Sequence, residues 1–311
     1  MFIQKTLKNE IICHGTGLHS GRKICMTMRP AETSSGITFR RVDLPNGSEI
    51  KATSLNVSDT TLATTLGTNG TRVATVEHLL SAFFGLGICN AHIEIDSFEI
   101  PIMDGSALPF MELIECAGIE AQDRPKNCLV ITRPISVSDG DGEAMLLPSS
   151  RFEITYTIDF PHPVIGRQSY HMVFGRERYA AEISQARTFG FLKEVEVLQA
   201  KGLALGGSLK NAIVLDDEKV INKEGLRCSD EFVKHKILDA VGDLSLLGMP
   251  IIGHFVAYKS GHRLNNLLLR SLLMDESRYQ VIDHIDELEG LRGEMDRLSK
   301  AVRYEERVFQ Y

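Results

Sequence analysis

The chain has 311 residues, 43% of them hydrophobic and 24% charged, enough to bury one large core or two smaller ones, and this length favours two domains. Its net charge of −7 excludes the usual duplex nucleic-acid binder, which presents a basic face, so an anionic ligand would have to be held by local charge. No stretch approaches the roughly 18 apolar residues of a transmembrane segment, and six cysteines without a CxxC pair suit reduced thiols better than a disulfide framework or a thiolate metal site.

The opening MFIQKTLKNEIICHG lacks an apolar run of roughly 7–15 residues with a small-residue cleavage site, so no secretory signal and a cytoplasmic location are expected. Short β-rich segments at 24–28 and 37–41 read as strands. Val76, Leu79, Leu80, Phe83 and Phe84 then fall at helical spacing, which predicts an amphipathic helix with Thr75 as N-cap and Gly85 as stop. A strand is expected at 91–95. The polar, proline-bearing stretch 122–127 reads as a boundary, and strands follow at 129–131 and 152–158. Val233, Ile237, Ala240, Val241 and Leu244 predict a second helix, capped by Ser229 with Asp230 and Glu231 in its first turn. After a strand at 255–258, the chain ends in a charge-rich helical pattern through Val281, Ile282, Ile285, Leu288, Leu291, Met295 and Leu298. That pattern suits either a long packed helix or a solvated tail.

The two helices align, Val76-Glu77-His78 and Ala82 with Val233-Lys234-His235 and Ala240, allowing a one-residue slip. They are too far apart for a solenoid repeat, which leaves two similar domains or a chance likeness of two short helices. At about 100° per residue, His78 and His235 fall roughly 200° from the leading valine of each apolar stripe, and Asp239 lies beside His235, four residues on. If those polar backs face each other, two imidazoles and a carboxylate converge, a ligand set that leaves a fourth zinc position open for water. Glu77 stands ready as a base, and Asp243, one turn beyond Asp239, could orient a further histidine. Against this, a lone histidine on a helix is more often a surface or hydrogen-bonded residue, and HxxxD alone is a weak pattern.

At these residues the sequence resembles the UDP-3-O-acyl-N-acetylglucosamine deacetylases, zinc enzymes of the committed step of lipid A synthesis. The matching motifs are TGLHSG at 16–21, TVEHLLSA at 75–82, IPIMDGSA at 100–107, SQARTFGF at 184–191, GGSLKNAIVLDD at 206–217, HKILDAVGD at 235–243 and YKSGHRLNN at 258–266. The resemblance implies an α+β fold in which two similar domains, each a sheet packed on helices, form a β-α-α-β sandwich with the active site between them. The expected division is 1–126, then 127–275 with an acyl-passage insert at about 188–215, then a charged helical tail at 276–311. It further implies one catalytic Zn2+ held by His78, His235 and Asp239, with Glu77 as general base. His262 would be the acid or electrostatic partner, Asp243 would orient it, and Thr188 would polarise the acetyl carbonyl. Either His262 or the newly protonated Glu77 could protonate the departing amine.

Substrate contacts are expected from His19, Lys236, Lys259 and Gly261, with Arg263 a further candidate for the UDP pyrophosphate. The acyl chain would run past Phe189, Phe191, Val195, Leu198, Leu203, Ala204 and Leu205, where Gly202, Gly206 and Gly207 let backbone come close. The acidic loop 139–143 departs from the basic residue expected there. The implied partner is a small-molecule acylated UDP-sugar. Two rivals remain: a non-catalytic nucleotide-sugar binding protein, disfavoured by Glu77 beside the ligands, and a metal deacetylase of another N-acetyl sugar, disfavoured by the apolar insert.

Overall fold

The structure, a computed structural model, describes residues 3–45, 48–283 and 293. Its first sheet is built on alternation: in Lys23–Arg29 the side chains of Ile24, Met26 and Met28 are buried while their neighbours are less so, the period of a strand with one core face. Five strands lie in the order Ile11–Thr16, Lys23–Arg29, Ala91–Ile95, Ile37–Arg41, Glu49–Lys51. A second sheet repeats this arrangement with Ile135–Asp139, Gly142–Leu147, Ile251–Tyr258, Phe152–Asp159 and Arg167–Val173, and adds Cys128–Ile131 and Tyr279–Ile282 to make seven strands.

The helices are α1 (Glu77–Leu86), α2 (Leu108–Ala117), the single turn α3 (Arg176–Arg178), α4 (Leu192–Ala200), α5 (Glu231–Leu244) and α6 (His262–Met274). Parallel neighbours cannot be joined by a tight turn and need a crossover. In the first sheet α1 lies in the crossover between Ile37–Arg41 and Ala91–Ile95, and in the second α5 lies in that between Phe152–Asp159 and Ile251–Tyr258. The likeness of the two helices is therefore a likeness of topology. Among the described residues no helix is long and apolar enough to cross a membrane.

The helix layers of the two sheets meet at α1 and α5, which gives the expected α+β sandwich of sheet, helices, helices and sheet. Nine of the ten residues of α1 are buried and so are twelve of the fourteen of α5, so the polar back of each helix is covered by the other. Ser81 Oγ donates to the Leu238 carbonyl at 2.8 Å across this junction. At Gly242 an added Cβ would lie 2.1 Å from the Glu77 carbonyl oxygen. Only glycine permits that approach.

Several expectations fail in detail. Helix α1 starts at Glu77 after Val76, and Thr75 sits at φ 60 with its hydroxyl 3.5 Å from Glu99 instead of capping. Gly85 does not stop the helix: it is interior, where an added Cβ would meet the Tyr179 ring at 2.4 Å. The left-handed Gly87 ends it, with Ile88 N–H bonded to the Phe83 carbonyl. Asp230, rather than Ser229, precedes α5, while Glu231 stands in the first turn as expected and also accepts from Arg187 Nε. Four of the six residues of the boundary stretch 122–127 are strand, because Ile119–Pro125 pairs with Ile3–Leu7. The strand expected at 255–258 begins four residues earlier, as Ile251–Tyr258 of the second sheet, and Gly253 lies inside it, where an added Cβ would meet Ile131 at 2.6 Å. Val281 and Ile282 belong to a strand paired with Cys128–Ile131, not to a helix, since their alternation fits an open sheet edge. Of the expected tail helix, Ile285, Leu288, Leu291, Met295 and Leu298 lie outside the described residues.

Candidate metal centre and active site

The start of α1 and the middle of α5 bring His78, His235 and Asp239 together, each no more than 4% exposed. Asp239 Oδ1 lies 3.4 Å from His78 Nε2 and 3.3 Å from His235 Nε2. Those separations match the edge of a tetrahedron with metal–ligand bonds of about 2.0–2.1 Å, which is about 3.3–3.4 Å. Asp239 Oδ1 is buried without a hydrogen-bond partner, an arrangement that is costly unless a cation completes it. The donor set therefore fits a metal ion.

Neighbouring groups prepare these ligands. His235 Nδ1 is 3.0 Å from the Ala186 carbonyl, so the ring donates there and leaves the Nε2 lone pair facing the other two ligands. Burial pushes the His235 pKa down to about 4, against the pull of Asp239, which keeps the imidazole neutral. Burial would raise the Asp239 pKa, but His235 and Lys236 hold it well below the ordinary carboxylate range. Lys236 Nζ donates to Asp239 Oδ2 at 2.7 Å, leaving Oδ1 for a ligand. The segment carrying Ala186 and Thr188 is fastened by Arg187, 4% exposed, which donates to Glu231 through Nε at 2.8 Å and to the Gly225 carbonyl at 2.8 Å.

Beside the ligands, Glu77 and His262 face each other with Oε1 and Nε2 3.8 Å apart. Glu77 Oε2 accepts the Thr64 N–H at 3.0 Å, which fixes the carboxylate. Burial raises the Glu77 pKa, with His262 and His78 opposing. His262 Nδ1 lies 2.9 Å from Asp243 Oδ2, and Asp243 is itself held by Thr64 Oγ1 at 2.5 Å and Asn265 Nδ2 at 2.8 Å. Burial would lower the His262 pKa, but Asp243, Glu77 and Asp239 outweigh it and raise it to about 9. A proton donor thus stands opposite a carboxylate.

These groups open onto a cleft of 420 Å³, within the range of small-ligand sites. Of the residues singled out from sequence, His19, Glu77, His78, Thr188, Phe189, Phe191, His235, Lys236, Asp239 and His262 line it. Asp243 stands behind His262. Lys259 is engaged by Asp141 at 2.7 Å and Arg263 by Asp139 at 2.8 Å, so the acidic loop 139–143 takes two of the expected pyrophosphate cations, and neither lines the cleft. Gly261, Ala204 and Gly207 also lie outside its lining. The turn 203–207 is bonded to the loop at 16–21, Leu205 N–H to the His19 carbonyl and Gly206 N–H to that of Leu18. An added Cβ at Gly206 would meet the Gly17 carbonyl at 2.2 Å.

Sequence reading missed Thr64, Asn265, the Ala186 carbonyl and Phe160. Phe160 stands 5.7 Å from Phe189 and 6.1 Å from Phe191, ring centre to ring centre, and extends the aromatic wall. Asn265 lies within a quoted motif and could have been singled out. Ala186 acts through its carbonyl, which carries no residue-type signal, whereas Thr64 acts through its N–H on Glu77 and through its hydroxyl on Asp243. The insert forms a small unit, Phe189–Phe191 parallel to Ile213–Leu215 with α4 between them. No residue of α4 is buried, and Leu192, Val197, Leu205 and Leu209 around it are exposed apolar side chains.

The family of UDP-3-O-acyl N-acetylglycosamine deacetylases matches residues 4–274. Three curated proteins named UDP-3-O-acyl-N-acetylglucosamine deacetylase are similar to the chain. That of Syntrophus aciditrophicus is 57% identical over 279 residues, 90% of this chain and 89% of the relative. That of Acidithiobacillus ferrooxidans is 51% identical over 92% of this chain and 95% of its own. That of Myxococcus xanthus is 51% identical over 97% and 96%.

Proposed function

The chain belongs to the UDP-3-O-acyl N-acetylglycosamine deacetylase family, and on that premise we propose how its own residues hydrolyse the N-acetyl amide of an acylated UDP-glucosamine. The reaction gives acetate and the free amine and stands in lipid A synthesis. The observation that carries the reading is one cleft holding His78, His235 and Asp239 beside the facing pair Glu77 and His262.

His78, His235 and Asp239 would hold the ion the family depends on, and the neutral-imidazole and carboxylate set favours zinc. When bound, the ion supplies Lewis-acid polarisation of the acetyl carbonyl and lowers the pKa of a water. Glu77, fixed through Thr64, accepts a proton from the attacking water. Thr188, which lines the same cleft, would polarise the acetyl carbonyl as charge develops on its oxygen. His262, kept protonated by Asp243, gives its proton to the departing nitrogen as the C–N bond breaks. The two domains 1–126 and 127–275 would contribute Glu77 with His78 and His235 with Asp239 and His262, respectively. We place the reaction in the cytoplasm, with no nucleic-acid partner.

This division of labour sets a pH profile. Glu77 must be ionised, so kcat/KM is lost as pH falls through its raised pKa. His262 must be protonated, so activity is lost as pH rises through its own. The profile is bell-shaped, and Asp243→Asn, which removes the largest charge raising His262, is expected to move the alkaline limb to lower pH. An alkaline limb unmoved in Asp243→Asn and in His262→Gln would assign it to another group.

The exposed apolar side chains of 188–215 and the wall of Phe160, Phe189 and Phe191 support an acyl passage. Five methylenes removed from water contribute about 4 kcal/mol, which is about three orders of magnitude in affinity. Acetate release from the acylated UDP-sugar should therefore exceed that from plain UDP-N-acetylglucosamine by about 10³-fold in kcat/KM. Equal turnover of the two would remove the passage, and no release from either would remove the proposed activity.

A further inference from the structure

A second cavity of 420 Å³ lies at the other end of α1, where Phe84, Gly85, Leu86 and Gly87 meet the beginning of Phe152–Asp159 and residues 173–176 and 250–252. Its floor is apolar. Phe84, Phe152 and Phe174 stand 5.1–5.9 Å apart, ring centre to ring centre, with Ile251 and Ile252 beside them. Lys5, Lys126, Arg151 and Arg176 also line it, and among the described residues no carboxylate does. Arg176 has Glu115 at 3.1 Å. The other three have no ion pair among the described residues. Lys126 is largely buried, and desolvation together with the nearby charge of Lys5 lowers its pKa, although the thiols of Cys89 and Cys128 oppose this.

Such convergence calls for a reason. The chain carries seven more acidic than basic residues, and elsewhere Lys234, Lys236, Lys259, Arg187 and Arg263 each have a carboxylate partner. Three cations without ion pairs around one concave apolar surface repel each other, and Lys126 is desolvated besides, a cost that an anion with an apolar body would offset. The catalytic cleft differs, since the carboxylates of Glu77, Asp239 and Glu194 line it alongside Lys236 and four histidines. We propose that this second cavity is a binding site for a single-chain amphipathic anion, a fatty carboxylate, with its chain on Phe84, Phe152, Phe174, Ile251 and Ile252 and its head group among Lys5, Lys126 and Arg151.

The absence of tryptophan from the chain provides a selective test. In Phe174→Trp, and independently in Val173→Trp, the introduced indole is the only one and reports this cavity regardless of any acyl chain taken up at the catalytic cleft. Monomeric dodecanoate is expected to give a saturable fluorescence change in at least one folded variant, and adding Arg151→Glu with Lys126→Glu to weaken it at least tenfold. Dodecylammonium and inorganic phosphate should give no saturable change. The proposal is overturned if dodecanoate gives none, if dodecylammonium matches it, if phosphate alone reproduces it, if the charge reversals leave it unaltered, or if only anionic phospholipid vesicles produce it.

Discussion

Asp239→Ala is expected to lose bound metal and to lower kcat/KM by about 10³-fold or more. Lewis-acid stabilisation is worth several kcal/mol, and each 1.36 kcal/mol is a factor of ten in rate. The same change should also destabilise the metal-free protein. Lys236 Nζ donates to Asp239 Oδ2 at 2.7 Å, and the two side chains are 17% and 6% exposed. Removing the carboxylate strands a buried ammonium, a loss that typically costs about 3–5 kcal/mol. His78→Ala should match it in metal and activity, but it strands no charge, so its metal-free form should unfold at higher denaturant than that of Asp239→Ala. Metal analysis of the purified variants, initial rates and denaturant unfolding without metal separate these effects. Full metal content and turnover in both variants would reject the ligand set.

How far this centre was legible follows from what each residue contributes. Strands 37–41 and 91–95 have the expected bounds, and in Ala91–Ile95 burial alternates with the period that a one-faced strand imposes on its residues. The facing of His78 and His235 was readable as an angle around each helix. That their polar backs are covered by each other was only a condition, since a helix sequence does not say what lies opposite. Close approach is what the eye misreads: Gly85 looks like a stop but marks a contact with Tyr179. Charges mislead in a related way. Lys236, Lys259 and Arg263 are equally basic in sequence, yet the fold gives each a carboxylate and leaves Lys5, Lys126 and Arg151, around a different cavity, without an ion pair among the described residues. Pairing is a tertiary property, and only the assembled sheets decide it.

Glu77→Gln should lower kcat by on the order of 10²–10⁴ while the metal stays bound. The amide keeps the size of the carboxylate, and its oxygen can still accept the Thr64 N–H that holds Glu77 Oε2 at 3.0 Å, so the side chain has reason to stay in place. What it loses is the capacity to take a proton. Because that capacity is used as water attacks, the loss should fall on kcat more than on KM. A second consequence separates a base from a mere neighbour. Glu77 is one of the carboxylates that raise His262 to about 9, so removing its charge lowers the His262 pKa and moves the alkaline limb of the residual activity to lower pH. The acid limb attributed to Glu77 should vanish at the same time. The measurements are metal content, kcat and KM on the acylated UDP-sugar, and the pH profile of the variant. Loss of metal in Glu77→Gln would make the residue a ligand or its support, and an acid limb that persists unchanged would assign the base to another group.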